Sequence, residues 1–433
     1  MSGLRFKKDK IYSILIFILT FIFFSFTSCS DNKEFKPDDY YSNIVLKSER
    51  ENFLIKTINE TIKSNLSKTL TDSTEKNYQS AFWAIELIQF KNEFTDSVVT
   101  SCFNNINERS TEFQRSFLEV VYTLYQNNFT PEIEAFAKET NNPKLFAMCV
   151  DYLKQSGYDV NEMLKVFLER NPLLIDNPII VILKNDLSNK LISLPPIQDL
   201  LGHSFEDKLV IFSIQRSNRD YTGLTIIRKS DGKFLRDESG EIFSVPQLAR
   251  AITDLPGYIT NGNTPEGILS IQGIDFSKND FIGPSPNLQL VLPYEVKPDK
   301  YFHSSNKDTL WNLEEYKSIL PESWKEYTNI YEAYYAGKAG RNEIIAHGTI
   351  IDPGFYAGAS YFPFTPSLGC LTTKELWSYE TGKIIESDQI KLMNAFIEAG
   401  NENGYFIVVN IDDQKAAVTL SEIINTILEA ERK

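Results

Sequence analysis

The sequence predicts an α+β chain: an N-terminal all-helical domain over residues 45–195, with the pattern of a short solenoid, then a mostly β domain over 205–433. Three observations predict it. Apolar residues recur at three and four positions through the first half, as in Phe82, Ile85, Ile88 and in Phe117, Val120, Val121, Leu124. Glycine is nearly absent before Gly157. Beyond a stretch containing Pro172, Pro178, Pro195 and Pro196, the pattern changes to short apolar runs of strand length, separated by turn pairs such as Asp231-Gly232 and Ser239-Gly240.

The first element is an export signal. Arg5, Lys7, Lys8 and Lys10 precede an apolar run from Ile11 to Phe26, which leads into Thr27-Ser28-Cys29. Small residues before a cysteine resemble a bacterial lipoprotein cleavage site. Residues 1–28 are then a signal peptide, and Cys29 is the lipidation site that anchors the chain in a membrane. The resemblance implies a bacterial cell envelope, with the chain on the outer membrane facing the periplasm. The alternative is an uncleaved anchor, but the run is shorter than the roughly 20 apolar residues a span needs. Residues 29–44 are polar, include Pro37, and read as a tether.

Three related stretches follow. Phe82 to Asn92 leads into Phe94-Thr95-Asp96, Phe117 to Asn127 into Phe129-Thr130-Pro131, and Phe146 to Gln155 into Tyr158-Asp159-Val160. Each reads as helix, turn, helix, with Thr95, Thr130 and Asp159 as expected N-caps of the second helices. Units of this kind stack to bury a shared core; an irregular helical bundle is the other reading. Cys102 and Cys149 fall within apolar-periodic helices and are expected to be buried there.

In the second half, Lys208 to Ile214, Gly223 to Arg228, Leu288 to Pro293 and Tyr405 to Asn410 read as strands. Gln247 to Thr253 reads as a short helix. Thr419 to Lys433 reads as a closing amphipathic helix with Leu420, Ile423, Ile424 and Ile427 on one side. A β-rich sandwich is the expected arrangement.

Net charge is -14. The four cations near the start stand against Asp9 alone, so the rest of the chain is more acidic still. Phosphate contacts need Lys and Arg, so nucleic acid is not an expected partner. The three histidines are scattered and no Cys-x-x-Cys occurs, so neither metal nor cofactor is expected. His203 and His303 read as structural.

The chemistry concentrates near the C-terminus. Ala346-His347-Gly348-Thr349 precedes Ser367-Leu368-Gly369-Cys370-Leu371, which places Cys370 23 residues after His347 in a loop of turn formers. A thiol that attacks a carbonyl needs a base within reach and N–H groups aimed at the oxyanion. These segments resemble the L,D-transpeptidases, the YkuD-like cysteine enzymes that cross-link bacterial peptidoglycan. Their signature is a His-Gly turn, a loop, then Ser/Thr-x-Gly-Cys. Upstream, Asn263-Thr264-Pro265-Glu266-Gly267-Ile268 is similar to the family's Thr-Pro-x-Gly strand. The resemblance spans roughly residues 205 to 410. It departs at Leu368, where the family often has His, and at Thr372-Thr373, where Arg or Asn is common. The loop between His347 and Cys370 is long, and its Tyr356 and Tyr361 make it a candidate lid.

The resemblance implies Cys370 as nucleophile and His347 as base, with backbone N–H groups of Leu368, Gly369 and Cys370 as an oxyanion hole. Gly348, Thr349 and Ser367 would support them. The substrate would be the tetrapeptide stem of peptidoglycan, attacked at its L,D bond with release of D-Ala. An amine then gives a cross-link, whereas water gives carboxypeptidation. The helical domain would serve as spacer, wall-binding arm or platform for a protein partner. The alternative is a catalytically inactive envelope lipoprotein that binds wall peptides or a protein partner, which the changes at Leu368 and Thr372 favour.

Overall fold

A computed structural model describes residues 34–188, 193–305, 310–400 and 403–432. The expected signal peptide, residues 1–28, and the expected lipidation site Cys29 lie outside these residues. Residues 35–433 form one compact unit. Among the described residues no helix is long and apolar enough to cross a membrane.

The first half is helical. Three helix–turn–helix pairs follow one another: Glu75–Ile88 with Glu93–Cys102, Thr111–Leu124 with Thr130–Glu139, and Pro143–Gln155 with Asn161–Arg170. Their leading helices meet through aromatic rings. Phe82 lies 5.7 Å from both Phe113 and Phe117, and Tyr122 lies 6.4 Å from Tyr152. Tyrosine hydroxyls tie successive pairs together, with Tyr125 donating to Asp96 at 2.8 Å and Tyr152 to the Tyr125 carbonyl at 2.6 Å. Cys102 and Cys149 are free and buried, and burial raises the Cys102 thiol to about 12. The caps differ from expectation. Asn92 caps Glu93–Cys102, and Thr95 closes a reciprocal box three residues inside the helix. Thr130 is the first helical residue rather than the cap, and Val160 occupies the cap position expected of Asp159.

The described residues of the second half hold ten strands: β1 (Leu209–Arg216), β2 (Gly223–Arg228), β3 (Ser244–Gln247), β4 (Gly267–Phe276), β5 (Pro286–Val291), β6 (Ile345–His347), β7 (Leu371–Thr372), β8 (Glu375–Trp377), β9 (Ile384–Ser387) and β10 (Gly404–Asp412). Eight form one sheet in the order β3-β2-β1-β10-β4-β5-β6-β7, and β8 pairs with β9. Pairs β1–β10 and β6–β7 are parallel, whereas the rest of the large sheet is antiparallel.

This is not the expected sandwich of two sheets. Strand β1 is buried along its whole length, so both faces of the sheet need cover. Successive residues alternate between the two cores. Leu209, Ile211, Phe406 and Val408 join the core that runs on through the helical half, and Leu392 and Phe396 of the helix Asp388–Glu398 belong to it. Val210, Phe212, Tyr405 and Ile407 face a second core with Trp324, Tyr316 and Ile427, the last from the helix Leu420–Ala430.

Two other expectations change. Residues 247–253 are extended, not helical, because their backbone pairs with the cysteine loop: Leu248 bridges Thr372, and Ala251 bridges Ser367. The described part of the tether is docked rather than free. Phe35 exchanges two 2.9 Å hydrogen bonds with the Asn394 amide, and Ser42 donates to the Gly382 carbonyl at 2.8 Å.

Several carboxylates are buried in this interior. Desolvation raises Glu119, Asp186 and Glu375 to about 7 and Glu266 to about 8. An acid whose folded pKa lies above its unfolded value holds its proton more tightly when folded. Its contribution to stability is complete below the unfolded value and is lost as pH rises through the folded one. Thermal unfolding is therefore expected a few degrees higher at pH 5 than at pH 8. A melting temperature that rises across that window would contradict this assignment.

Candidate active site

The topology brings the two sequence segments together. Parallel pairing sets Ala346 opposite Leu371 and His347 opposite Thr372. One residue earlier, Cys370 stands beside Ile345. Ile345 and His347 point to the same face because strand side chains alternate. Cys370 and His347 accordingly open on one cleft of about 360 Å³, which Ser367, Leu368, Gly369 and Arg341 also line. His347 is 4 % exposed, Cys370 is partly exposed, and Leu368 projects at the lip.

The imidazole is oriented by its own turn. His347 Nδ1 is hydrogen-bonded to the Gly348 carbonyl, which can only accept, so Nδ1 carries the proton and Nε2 is the basic atom. Burial lowers His347 to about 4. Burial raises the Cys370 thiol, while a backbone hydrogen bond from Ile345 and the Arg341 guanidinium favour its thiolate. Both shifts favour a neutral thiol and a neutral imidazole over a preformed ion pair. In this state Cys370 Sγ donates to the Glu343 carbonyl at 3.5 Å.

Each supporting residue has a definable role. Gly348 lies against the buried Glu375 carboxyl, so a Cβ there would overlap it. That carboxyl accepts from Ser387 at 2.8 Å and Ser285 at 3.1 Å. The Thr349 carbonyl accepts from Trp377 Nε1 at 3.1 Å, which fixes the exit of the His turn. Ser367 Oγ donates to the Cys370 carbonyl at 2.9 Å and accepts from the Gly369 N–H at 3.1 Å. The Gly369 N–H, expected in the oxyanion hole, is therefore turned back into the loop. Leu368 and Cys370 are left as the backbone donors.

Gly369 has φ of 108°, and a Cβ would overlap Arg341 Nη2 and the Gly262 carbonyl. Its carbonyl accepts from Thr264 Oγ1 at 3.0 Å and from Arg341 Nη2 at 3.3 Å. The Thr-Pro segment and the cysteine loop are thus joined by a direct bond. In a trans peptide C=O and N–H point oppositely, so these donors turn the Cys370 N–H away from themselves.

Arg341 is the residue that sequence reasoning missed. It is buried and bonds the carbonyls of Gly257, Gly262, Asn263 and Gly369. The only signal was one arginine in the turn Gly340-Arg341-Asn342. Thr372 and Thr373 carry no charge and hold their neighbours by hydrogen bonds. Thr372 Oγ1 donates to the Thr365 carbonyl at 2.7 Å, and Thr373 Oγ1 to Gln389 at 2.8 Å. No family model, no curated protein and no solved structure matches the chain.

The long loop is not a free lid. Tyr356 and Tyr361 are buried, with Tyr356 donating to the Leu87 carbonyl at 2.9 Å and Arg250 lying 5.0 Å over the Tyr361 ring. The first contact fastens the loop to the helical half, the second to the segment after β3.

Proposed function

We propose that the chain is a cysteine acyltransferase of L,D-transpeptidase type, acting on peptidoglycan stem peptides in a bacterial envelope and anchored through Cys29. The observation that carries this is the shared cleft of Cys370 and His347, with Nδ1 held by Gly348 and Nε2 left basic. The bond from Thr264 to Gly369 supports it, because it joins the two motifs on which the resemblance rests.

The steps follow from these roles. His347 Nε2 takes the Sγ proton as sulfur attacks the carbonyl carbon of the L,D bond. The N–H groups of Cys370 and Leu368 receive the oxyanion. Collapse breaks the C–N bond, the leaving D-Ala amine takes the proton from His347, and a thioester remains. An incoming amine or water gives its proton to His347, attacks the thioester carbon and restores the thiol.

The test is intact-mass spectrometry after incubation with a carbapenem. A single adduct that is absent from Cys370→Ala is expected. The two other described cysteines are buried, so iodoacetamide checks that Cys370 is accessible. Alkylation without carbapenem acylation would favour the second reading, a non-catalytic envelope lipoprotein that binds wall peptides or a partner. The resting bond from the thiol to the Glu343 carbonyl and the exposed Leu368 favour that reading.

A further inference from the structure

The cleft beside Cys370 is not built from the sheet half alone. Trp83 and the buried Leu87, on successive turns of the helix Glu75–Ile88, line it together with Phe281 and Ile351. Trp83 is 36 % exposed and stands edge-on to Phe281 with ring centres 5.2 Å apart. Two further helical residues hold the cleft's polar lining. Lys144 Nζ donates to Thr260 Oγ1 at 2.8 Å, and Glu119 Oε1 accepts from Asn261 Nδ2 at 3.1 Å. Both Thr260 and Asn261 face the cleft. A smaller recess next to it shares Leu87, Phe281 and Ile351, so the apolar wall continues past the thiol towards Phe53.

We propose that Trp83 is a specificity-determining residue: it forms, with Phe281, the surface against which the acyl-donor peptide lays the aliphatic part of the side chain next to the scissile carbonyl. An indole face and a phenyl ring offer contact to methylenes. The amides of Asn261, Asn279 and Asn342 in the same cleft match the donors and acceptors of a peptide backbone. The helical half is then a structural part of the substrate site. The identity of the peptide rests on the function proposed above, whereas the role of Trp83 in holding it does not require turnover.

The experiment uses the full chain in detergent with a synthetic stem tetrapeptide that ends in an L,D-linked D-Ala. Of the four tryptophans, Trp324 and Trp377 are buried and Trp311 is half-buried with its Nε1 bonded to the Val296 carbonyl, so Trp83 dominates any ligand-dependent emission change. Titration of Cys370→Ala is expected to shift emission, and Cys370→Ala with Trp83→Phe to lose that shift. In the reactive chain, Trp83→Ala is expected to raise KM about ten-fold with kcat little changed, and Trp83→Phe to recover most of it. Equal alkylation of Cys370 by iodoacetamide in all three chains would exclude a merely structural effect. Binding with the emission shift but without turnover would sink the transferase reading and leave the Trp83 assignment standing. Turnover with unchanged KM in Trp83→Ala would overturn the assignment alone. Neither binding nor turnover would overturn both.

Discussion

His347→Ala is expected to slow acylation of Cys370 by a carbapenem about 10²- to 10⁴-fold at pH 7, the usual contribution of a positioned general base. The size of the effect follows from the neutral resting pair. Burial keeps His347 unprotonated down to about pH 4, so the base is available at every working pH. Burial also raises the thiol, so little thiolate forms without that base. The defect should shrink as pH rises, because hydroxide increasingly supplies the thiolate unaided. His347→Gln retains an amide able to donate to the Gly348 carbonyl, and it separates loss of the base from loss of the turn. Acylation at the wild-type rate in both variants at pH 7 would remove His347 from the chemistry.

Arg341→Met is expected to act on stability and reactivity together. The guanidinium bonds four backbone carbonyls, and methionine would leave buried acceptors unpaired at about 1–3 kcal/mol each. A loss of roughly 3–5 kcal/mol is expected, read as a lower melting temperature. The guanidinium also favours the Cys370 thiolate, so its removal should raise the thiol's apparent pKa. The pH profile of iodoacetamide labelling measures this, and Arg341→Lys, which keeps the charge with fewer directed donors, should fall between. A labelling profile that is the same in Arg341→Lys and wild type at equal stability, with Arg341→Met no different, would confine Arg341 to holding the loop.

The change from helix to strand past residue 205 was legible because strands such as β1 open with an unbroken apolar run, Leu209 to Phe212, on both faces. That same feature carried the answer the sandwich reading overlooked, since a strand buried on both faces requires helices above and below. His347 and Cys370 were legible because a histidine and a cysteine among turn formers stand out in a chain with so few of either. Arg341 was not, because it acts on main-chain carbonyls from two separate loops, and no side-chain pattern marks such acceptors. Residues 247–253 misled for a related reason: their partner strand lies more than a hundred residues away, and local periodicity carries no record of it. Thr95 was read as a cap because it sits where a cap belongs by type, whereas Asn92 takes that place and Thr95 answers it.

The place of β10 bears on how the chain comes to exist at all. This strand, residues 404–412, lies between β1 and β4 in the middle of the sheet. Until it has been synthesised, β1 and β4 each present an open edge, and the two portions of the sheet have nothing to join them. A nascent chain can form its helices as they emerge, but the sheet beneath the thiol cannot be completed before residues 404–412 arrive. A message truncated anywhere before residue 404 would yield a product with unpaired edges, recognisable to proteases and without a continuous sheet beneath Cys370. Pairing through residue 412 is thus a condition for the cleft at Cys370 to rest on a continuous sheet.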